Sequence, residues 1–365
     1  MSIQAADALV SSEEKRKKKV VRRAAPDESQ KLRRLVQMAF IALNVWIGAQ
    51  FFVWVRFFEL GGEGWPVGRP PGVEGWLPIA GLMNLKYLLV TGRVPGVHPA
   101  AMFLLIAFLG MSVLLKKAFC GWLCPVGTLS EYLWKLGRKV LGRNFVVPRW
   151  LDRELRGVKY LLLGFFGFVI AWMPVEALHD FMTGPYGTIA DVKMLDFFRT
   201  IGVVGIAVVG TLVLASVLVQ NFWCRYLCPY GAMMGLVSLL SPVKIRRDAE
   251  ACIDCGKCNK ACPSHLSVDK LVQIRSAECT ACMACVASCP VENALQLALP
   301  ARKVGSAAER WRGRVVRPRT VAAILAVIFV GVVLYARVAG HWQTVVPQDV
   351  YMQLVPHANE VSHPM

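Results

Sequence analysis

Two stretches of the chain carry four cysteines each at one spacing. CIDCGKCNKACP sets Cys252, Cys255, Cys258 and Cys262 ahead of Pro263, and CTACMACVASCP sets Cys279, Cys282, Cys285 and Cys289 ahead of Pro290. A cubane of iron and sulfide needs four thiolates converging on it. Three come from a tight loop, and small spacers such as Gly256, Ala281 and Ala284 let that backbone wrap close; the fourth comes from a more distant segment. Structural zinc is the competing reading. Zinc sites use Cys-x-x-Cys pairs separated by a longer loop, and uninterrupted four-cysteine runs closed by proline do not have that form.

In two-cluster ferredoxins the fourth cysteine of each run serves the other cluster. That rule assigns Cys252, Cys255, Cys258 and Cys289 to a first 4Fe-4S cluster, and Cys279, Cys282, Cys285 and Cys262 to a second. The exchange holds the two clusters near each other, as electron hopping requires. The expected scaffold is a small α+β two-cluster ferredoxin-like domain over residues 248–300.

The other four cysteines form matched copies, AFCGWLCPVG (Ala118–Gly127) and NFWCRYLCPYG (Asn221–Gly231). Each is a Cys-x-x-x-Cys-Pro motif that follows an apolar segment. The spacing predicts Cys120 with Cys124, and Cys224 with Cys228, at i and i+4 on one face of a helix. If a pseudo-two-fold axis brings the copies together, four sulfurs converge, which suits a metal, a further cluster or a dithiol redox pair. The alternative is buried thiols packed beside Trp122 and Tyr226. No acid–base or nucleophilic constellation is visible, so no catalytic residue is assigned.

The elements that must position these residues are read from hydropathy and charge. The 365 residues are 55% hydrophobic, with mean hydropathy +0.46. All 12 cysteines lie in the motifs above, which argues against a disulfide framework and for bound metal in a reducing compartment. No Cys-x-x-Cys-His occurs, so no c-type haem is expected. Apolar segments at about 35–56, 99–116, 157–175, 201–220 and 319–337 approach or reach the roughly 20 residues that span a bilayer. The first reads as a retained anchor rather than a cleaved signal. A sixth segment, Leu77–Val90, is short, carries Asn84 and Lys86, and is read as non-crossing.

The formal net charge of +18, from 42 Lys and Arg against 24 Asp and Glu, follows membrane topology. Basic residues crowd residues 1–34, the loop after the second span and both flanks of the cluster segment, as inward-facing loops do. That placement removes the case for nucleic-acid binding. The expected order is a basic cytoplasmic tail (1–34), a membrane domain with four spans and two repeated helix pairs (35–247), the cluster domain (248–300), a basic linker (301–318), a fifth transmembrane helix (319–337) and a periplasmic tail (338–365). His98, Lys86, Arg93, Trp76 and His179 fall near the outer surface, where they could line a quinone site or ligate haem; taken singly, each is read as an interfacial anchor. Glu176, Asp180, Asp191 and Asp196 are expected as solvated acids.

These motifs together resemble the NapH/NosR/CcoG group of membrane polyferredoxin-like proteins. The stretches EGWLPIAGLMNLKY (Glu74–Tyr87), KAFCGWLCPVGTLSE (Lys117–Glu131), DVKMLDFFR (Asp191–Arg199) and CRYLCPYGAMMGLVSLLSP (Cys224–Pro242) are similar to YccM-type electron-transport proteins. The resemblance runs from about residue 36 onward. It implies a multi-pass protein of the bacterial inner membrane with two 4Fe-4S clusters, in a group with quinol-oxidising members. No flavin-binding domain of the NosR kind and no immunoglobulin-like domain of the CcoG kind is visible, which weakens carry-over of their particular roles. The expected function is electron transfer between the quinone pool, or a cytoplasmic donor, and a partner at or outside the membrane. Its rivals are a copper reductase or assembly factor using the paired membrane cysteines, and a cluster-based redox sensor.

Overall fold

A computed structural model describes residues 24, 27–300 and 314–363. The basic run from Lys15 to Arg23 and most of the 301–318 linker lie outside the described residues. The fold is mostly helical. Among the described residues, three helices are long and apolar enough to cross a membrane: α1 (Ser29–Glu59), α6 (Arg149–Trp172) and α14 (Pro318–Val338). A fourth candidate is a bent pair, α9 (Ala190–Arg199) and α10 (Val203–Leu218), whose axes differ by 86°. The expected second span is α3 (Pro99–Leu115), whose 17 residues reach only about 25 Å. The segment read as non-crossing is α2 (Pro78–Thr91), 14 residues ended by Gly92 at φ 69°, a left-handed cap that glycine adopts without a Cβ penalty.

The α3 helix sits in the middle of the membrane domain. Ala100, Met102, Leu105, Phe108, Met111 and Leu115 are all buried, and no polar stripe runs along it. A helix apolar on every side belongs inside a bundle, and α3 packs against α2 and α14. Side chains such as Trp46, Leu161, Phe165, Val203, Val204 and Val327 point outward and are exposed. Exposed apolar side chains along long helices suit lipid as solvent. The chain is therefore read as a membrane protein.

Two terminal expectations change. Residues Ser29–Arg34 belong to α1 rather than to a tail. Arg33 is buried, and its guanidinium forks onto Glu131 at 2.6 and 2.7 Å, which holds this first turn against helix α5 (Pro125–Leu141). At the other end, residues after α14 fold back as α15 (Gln348–Leu354), whose Tyr351 ring packs 4.9 Å from Trp54.

The cysteine-rich domain is stitched by strand β1 (Lys244–Arg247) paired antiparallel with β2 (Leu295–Ala298), with Ile245 opposite Leu297. The domain thus begins at Lys244, ahead of the expected 248. Arg247 reads as basic membrane flank in sequence, yet it stands opposite Leu295 in the sheet, and its N–H donates to the Val272 carbonyl at 2.9 Å. Short helices α12 (Lys257–Ala261) and α13 (Ala284–Ala287) follow the two cysteine loops.

Candidate iron–sulfur centre

Cys252, Cys255, Cys258 and Cys289 line one cavity of about 380 Å³. Cys262, Cys279, Cys282 and Cys285 line a second of about 350 Å³. Each cavity gathers three cysteines of one run and the last cysteine of the other. The loops are conformational copies: Asp254 and Gly256 have positive φ in the first, Ala281 and Met283 in the second. These residues stand at the same offsets from the first cysteine of each run. Alternating handedness curls a backbone so that its N–H groups face inward, a concavity that suits an anionic centre. The Asp254 N–H donates to Cys252 Sγ at 3.5 Å. The turn positions are therefore Gly256 and Met283, and Ala284 belongs to α13. Burial pushes the Cys262 thiol up to about 12, so ligation there requires a cation able to displace the proton.

The four remaining cysteines also meet. Cys120, Cys124, Cys224 and Cys228 line one cavity of about 770 Å³. Their local geometry differs from the expected single helix face. Cys120 lies in the short helix α4 (Ala118–Trp122) and Cys224 in a π-helical turn (Trp223–Leu227), while Cys124 and Cys228 are N-caps of α5 and of α11 (Pro229–Val237). Proline is the cause. It disfavours helical backbone in the residue before it and is well suited to the first helical position. As caps, Cys124 Sγ accepts from the Gly127 N–H at 3.5 Å and Cys228 Sγ from the Gly231 N–H at 3.2 Å. Among the described residues, no three His, Cys, Asp or Glu side chains close tightly enough to hold a single metal ion. A cubane spreads its thiolates more widely than one ion does.

The cysteine-rich domain docks on this site through specific contacts. Pro263, Ser264, Thr280 and Cys282 line both the second ferredoxin-like cavity and the four-cysteine cavity. Trp122 Nε1 donates to the Ala281 carbonyl at 3.0 Å, and Gln30 Nε2 to the Cys282 carbonyl at 2.9 Å. Gly121 lies so close that a Cβ there would stand 2.6 Å from the Thr280 carbonyl oxygen. Glu278 accepts from Lys159 Nζ at 2.5 Å and lies 3.9 Å from Lys117 Nζ. Burial works to raise its carboxyl, but the two lysines outweigh this and hold it below the ordinary carboxylate value.

A larger cavity, with about 2680 Å³ of empty space, opens on the membrane side of Cys124 and Cys228. Its far end includes Arg69, which belongs to a buried polar cluster that the motifs did not reveal. Arg69 binds Glu74 at 2.6 Å and Asp191 at 2.6 Å, and its Nη2 lies 3.2 Å from His98 Nδ1. His98 Nε2 lies 2.8 Å from the Gly187 carbonyl, so it carries the proton there. Glu74, His98 and Asp191 are fully buried. Asp191 is thus no solvated acid and His98 no interfacial anchor. A buried carboxylate needs a partner, and Arg69 supplies it from 122 residues away. Only an acid set within apolar EGWLP and DVKML contexts hinted at this. Lys86 is half-buried and donates to the Ile170, Ala171 and Met173 carbonyls at the end of α6. Trp76 lines the large cavity and donates to Asn44 at 3.1 Å. Arg93, Glu176, Asp180 and His179 are exposed, and Asp196 pairs with Arg199.

Comparison with known proteins follows this division of the chain. A family model described as a 4Fe-4S binding domain matches residues 97–144 and again 201–248, covering both membrane cysteine motifs. A 4Fe-4S dicluster domain model matches residues 244–290. The chain is 53% identical over 334 residues to YccM of Escherichia coli, which is named as an electron transport protein, covering 91% of each chain. It is 32% identical over 196 residues to the regulatory protein NosR of Pseudomonas aeruginosa, covering 50% of this chain and 25% of NosR. It is 31% identical over 201 residues to the methylamine utilization ferredoxin-type protein MauN of Methylorubrum extorquens, covering 52% of this chain and 62% of that one. No solved structure matches. With both kinds of 4Fe-4S unit present and nearly full-length identity to one relative, the chain belongs to the YccM family, within the membrane polyferredoxin-like group that also holds NosR, NirI and MauN.

Proposed function

We propose that this protein carries electrons between iron–sulfur clusters at one face of the bacterial inner membrane and a redox partner that enters the membrane domain. Cys252, Cys255, Cys258 and Cys289 hold one 4Fe-4S cluster; Cys279, Cys282, Cys285 and Cys262 hold the other. Cys120, Cys124, Cys224 and Cys228 hold a third redox centre. Clusters supply the electron chemistry, and the scaffold sets potential and path. The observation that carries this reading is continuity: the second ferredoxin-like cavity, the four-cysteine cavity and the large membrane cavity share walls in that order. The ferredoxin-like domain faces the cytoplasm and the C-terminus the periplasm, as the basic flanks favour. The partner in the membrane is the quinone pool.

Anaerobic iron and sulfide analysis tests the content. Two cubanes give about eight irons, and a third at the membrane cysteines gives about twelve; eight leaves a dithiol there, and zinc in place of iron sinks the assignment. Cys124→Ser and Cys228→Ser should preserve the eight-iron signal and block transfer into the membrane domain. Wild-type transfer in both variants would make these cysteines packing residues. Copper-dependent oxidation of the reduced protein, lost in the same variants, would instead support a metal reductase.

A further inference from the structure

Four residues stand between the four-cysteine cavity and the large membrane cavity and line both: Cys124, Val126, Cys228 and Tyr230. They are two pseudo-equivalent pairs, because Val126 and Tyr230 each fall two residues after the capping cysteine of their repeat. The wall is therefore symmetric except at one point, where an isopropyl group in one copy faces a phenol in the other. Two other aromatic rings hold the phenol. Phe108 and Phe119 stack on each other at 3.9 Å, and the Tyr230 ring meets them edge-on at 6.4 and 6.3 Å. Tyr230 is half-buried, and no hydrogen bond joins its hydroxyl to another side chain or carbonyl among the described residues, which leaves it free to donate into the cavities it lines.

The cavity beyond restricts what that partner is. Its lining follows α1 from Phe40 to Gln50, a run of about 15 Å. Leu43, Leu162, Phe166, Val208 and Leu212 make much of its wall. Ligand sites commonly enclose about 300–1,000 Å³ with a few placed polar groups among apolar ones, and this cavity, about 1140 Å³ once the open solvent at its mouth is left out, leaves room for a head and a long tail. An occupant that exchanges electrons with the cysteine site must put a redox-active head against Cys124 and Cys228. It must also accept a hydrogen bond from a lone phenol and extend an apolar chain along α1.

We propose that Tyr230 is the residue that seats the ring of a lipid-soluble quinone at the inner end of this cavity, its hydroxyl donating to one ring carbonyl oxygen. The proposal rests on the electron-transfer reading above. Tyr230 keeps its proton throughout. A quinone seated there would need two electrons, which iron–sulfur clusters held by the cysteines would supply one at a time, and two protons from water to become the quinol. Val126 leaves the opposite side apolar, so the ring is held at one carbonyl only.

The test uses full-length, cluster-loaded protein in detergent, reduced with dithionite and freed of excess reductant. A short-tailed ubiquinone is the probe and ferricyanide the soluble control. The Tyr230→Phe variant keeps the ring between Phe108 and Phe119 and loses only the hydroxyl. It should bind the quinone about three- to tenfold more weakly, as one hydrogen bond dictates. The infrared carbonyl stretch of the bound quinone should move back toward its free position. Oxidation by ferricyanide should match wild type. Wild-type affinity and carbonyl stretch in the variant overturn the role of Tyr230 and leave electron transfer standing. A wild-type protein oxidised by ferricyanide but not by quinone, or holding a phospholipid that quinone does not displace, overturns the quinone itself. Failure with both oxidants overturns the electron-transfer reading.

Discussion

Glu278→Gln should loosen the ferredoxin-like domain from the membrane domain. The Glu278 carboxylate precedes Cys279 and meets two ammonium groups of the membrane domain, Lys159 at 2.5 Å and Lys117 at 3.9 Å; Tyr160 also donates to it at 3.3 Å. The Lys159 side chain is 0% exposed and that of Lys117 4%. Glutamine keeps the volume and one acceptor but removes the only carboxylate shown between them. Breaking a buried pair by neutralising one partner costs about 3–5 kcal/mol, because the remaining charge is left uncompensated. At 1.36 kcal/mol per tenfold, protection of the docked segment 276–282 against hydrogen exchange should fall by roughly 10²- to 10⁴-fold. The measurement is exchange mass spectrometry on the cluster-loaded protein, with iron content followed in parallel. Adding Lys159→Met removes one stranded ammonium, so the double variant should recover more than about 1 kcal/mol relative to the sum of the single effects. Exchange in Glu278→Gln within a few-fold of wild type, at unchanged iron content, would refute the clamp.

Other perturbations probe the remaining joints. Gly121→Ala should cost about 1–3 kcal/mol by overpacking, since its Cβ meets the Thr280 backbone at 2.6 Å; an unchanged thermal midpoint would show that the two loops do not meet. Arg69→Met strands the buried Glu74 and Asp191 carboxylates and should lower stability in detergent by about 3–5 kcal/mol. Arg69→Lys should restore little, because an ammonium cannot fork between two acids; full rescue by lysine would count against the forked geometry. Glu131 is held at about 2, against an ordinary 4.5; burial opposes this, and the Arg33 hydrogen bond and charge outweigh it. Its stabilisation is complete above about pH 4.5 and is lost as pH falls toward 2. The thermal midpoint should therefore drop more steeply between pH 5 and 3 in wild type than in Glu131→Gln, and parallel slopes would contradict the pairing.

The sequence was enough for everything whose cause is local. The spacing of three cysteines within each loop is set within a few residues; the grouping of Cys289 with the first run and Cys262 with the second is an expectation from the two-cluster pattern, and the same residues line the two cavities. Hydropathy likewise marked α1, α6 and α14, because a span is a local run of apolar residues. The break between Cys120 and Cys124 is legible too, in Pro125, which disfavours helical backbone at Cys124 despite the i and i+4 spacing.

Tertiary structure decided what depends on partners far apart in the chain. The burial of Asp191 depends on Arg69, the strand at Lys244 on Leu295–Ala298, and the helical state of Ser29–Arg34 on Glu131. Helix α3 became a largely buried centre because neighbours cover most of it, leaving Ile106 and Leu114 exposed on one side. Meeting of the two Cys-x-x-x-Cys-Pro motifs, and the sharing of Cys124 and Cys228 between two cavities, arise only when the repeats pack together. Composition cannot encode such a meeting, because the energy that fixes it is a buried ion pair or a packed wall, and neither exists until both sides are in place.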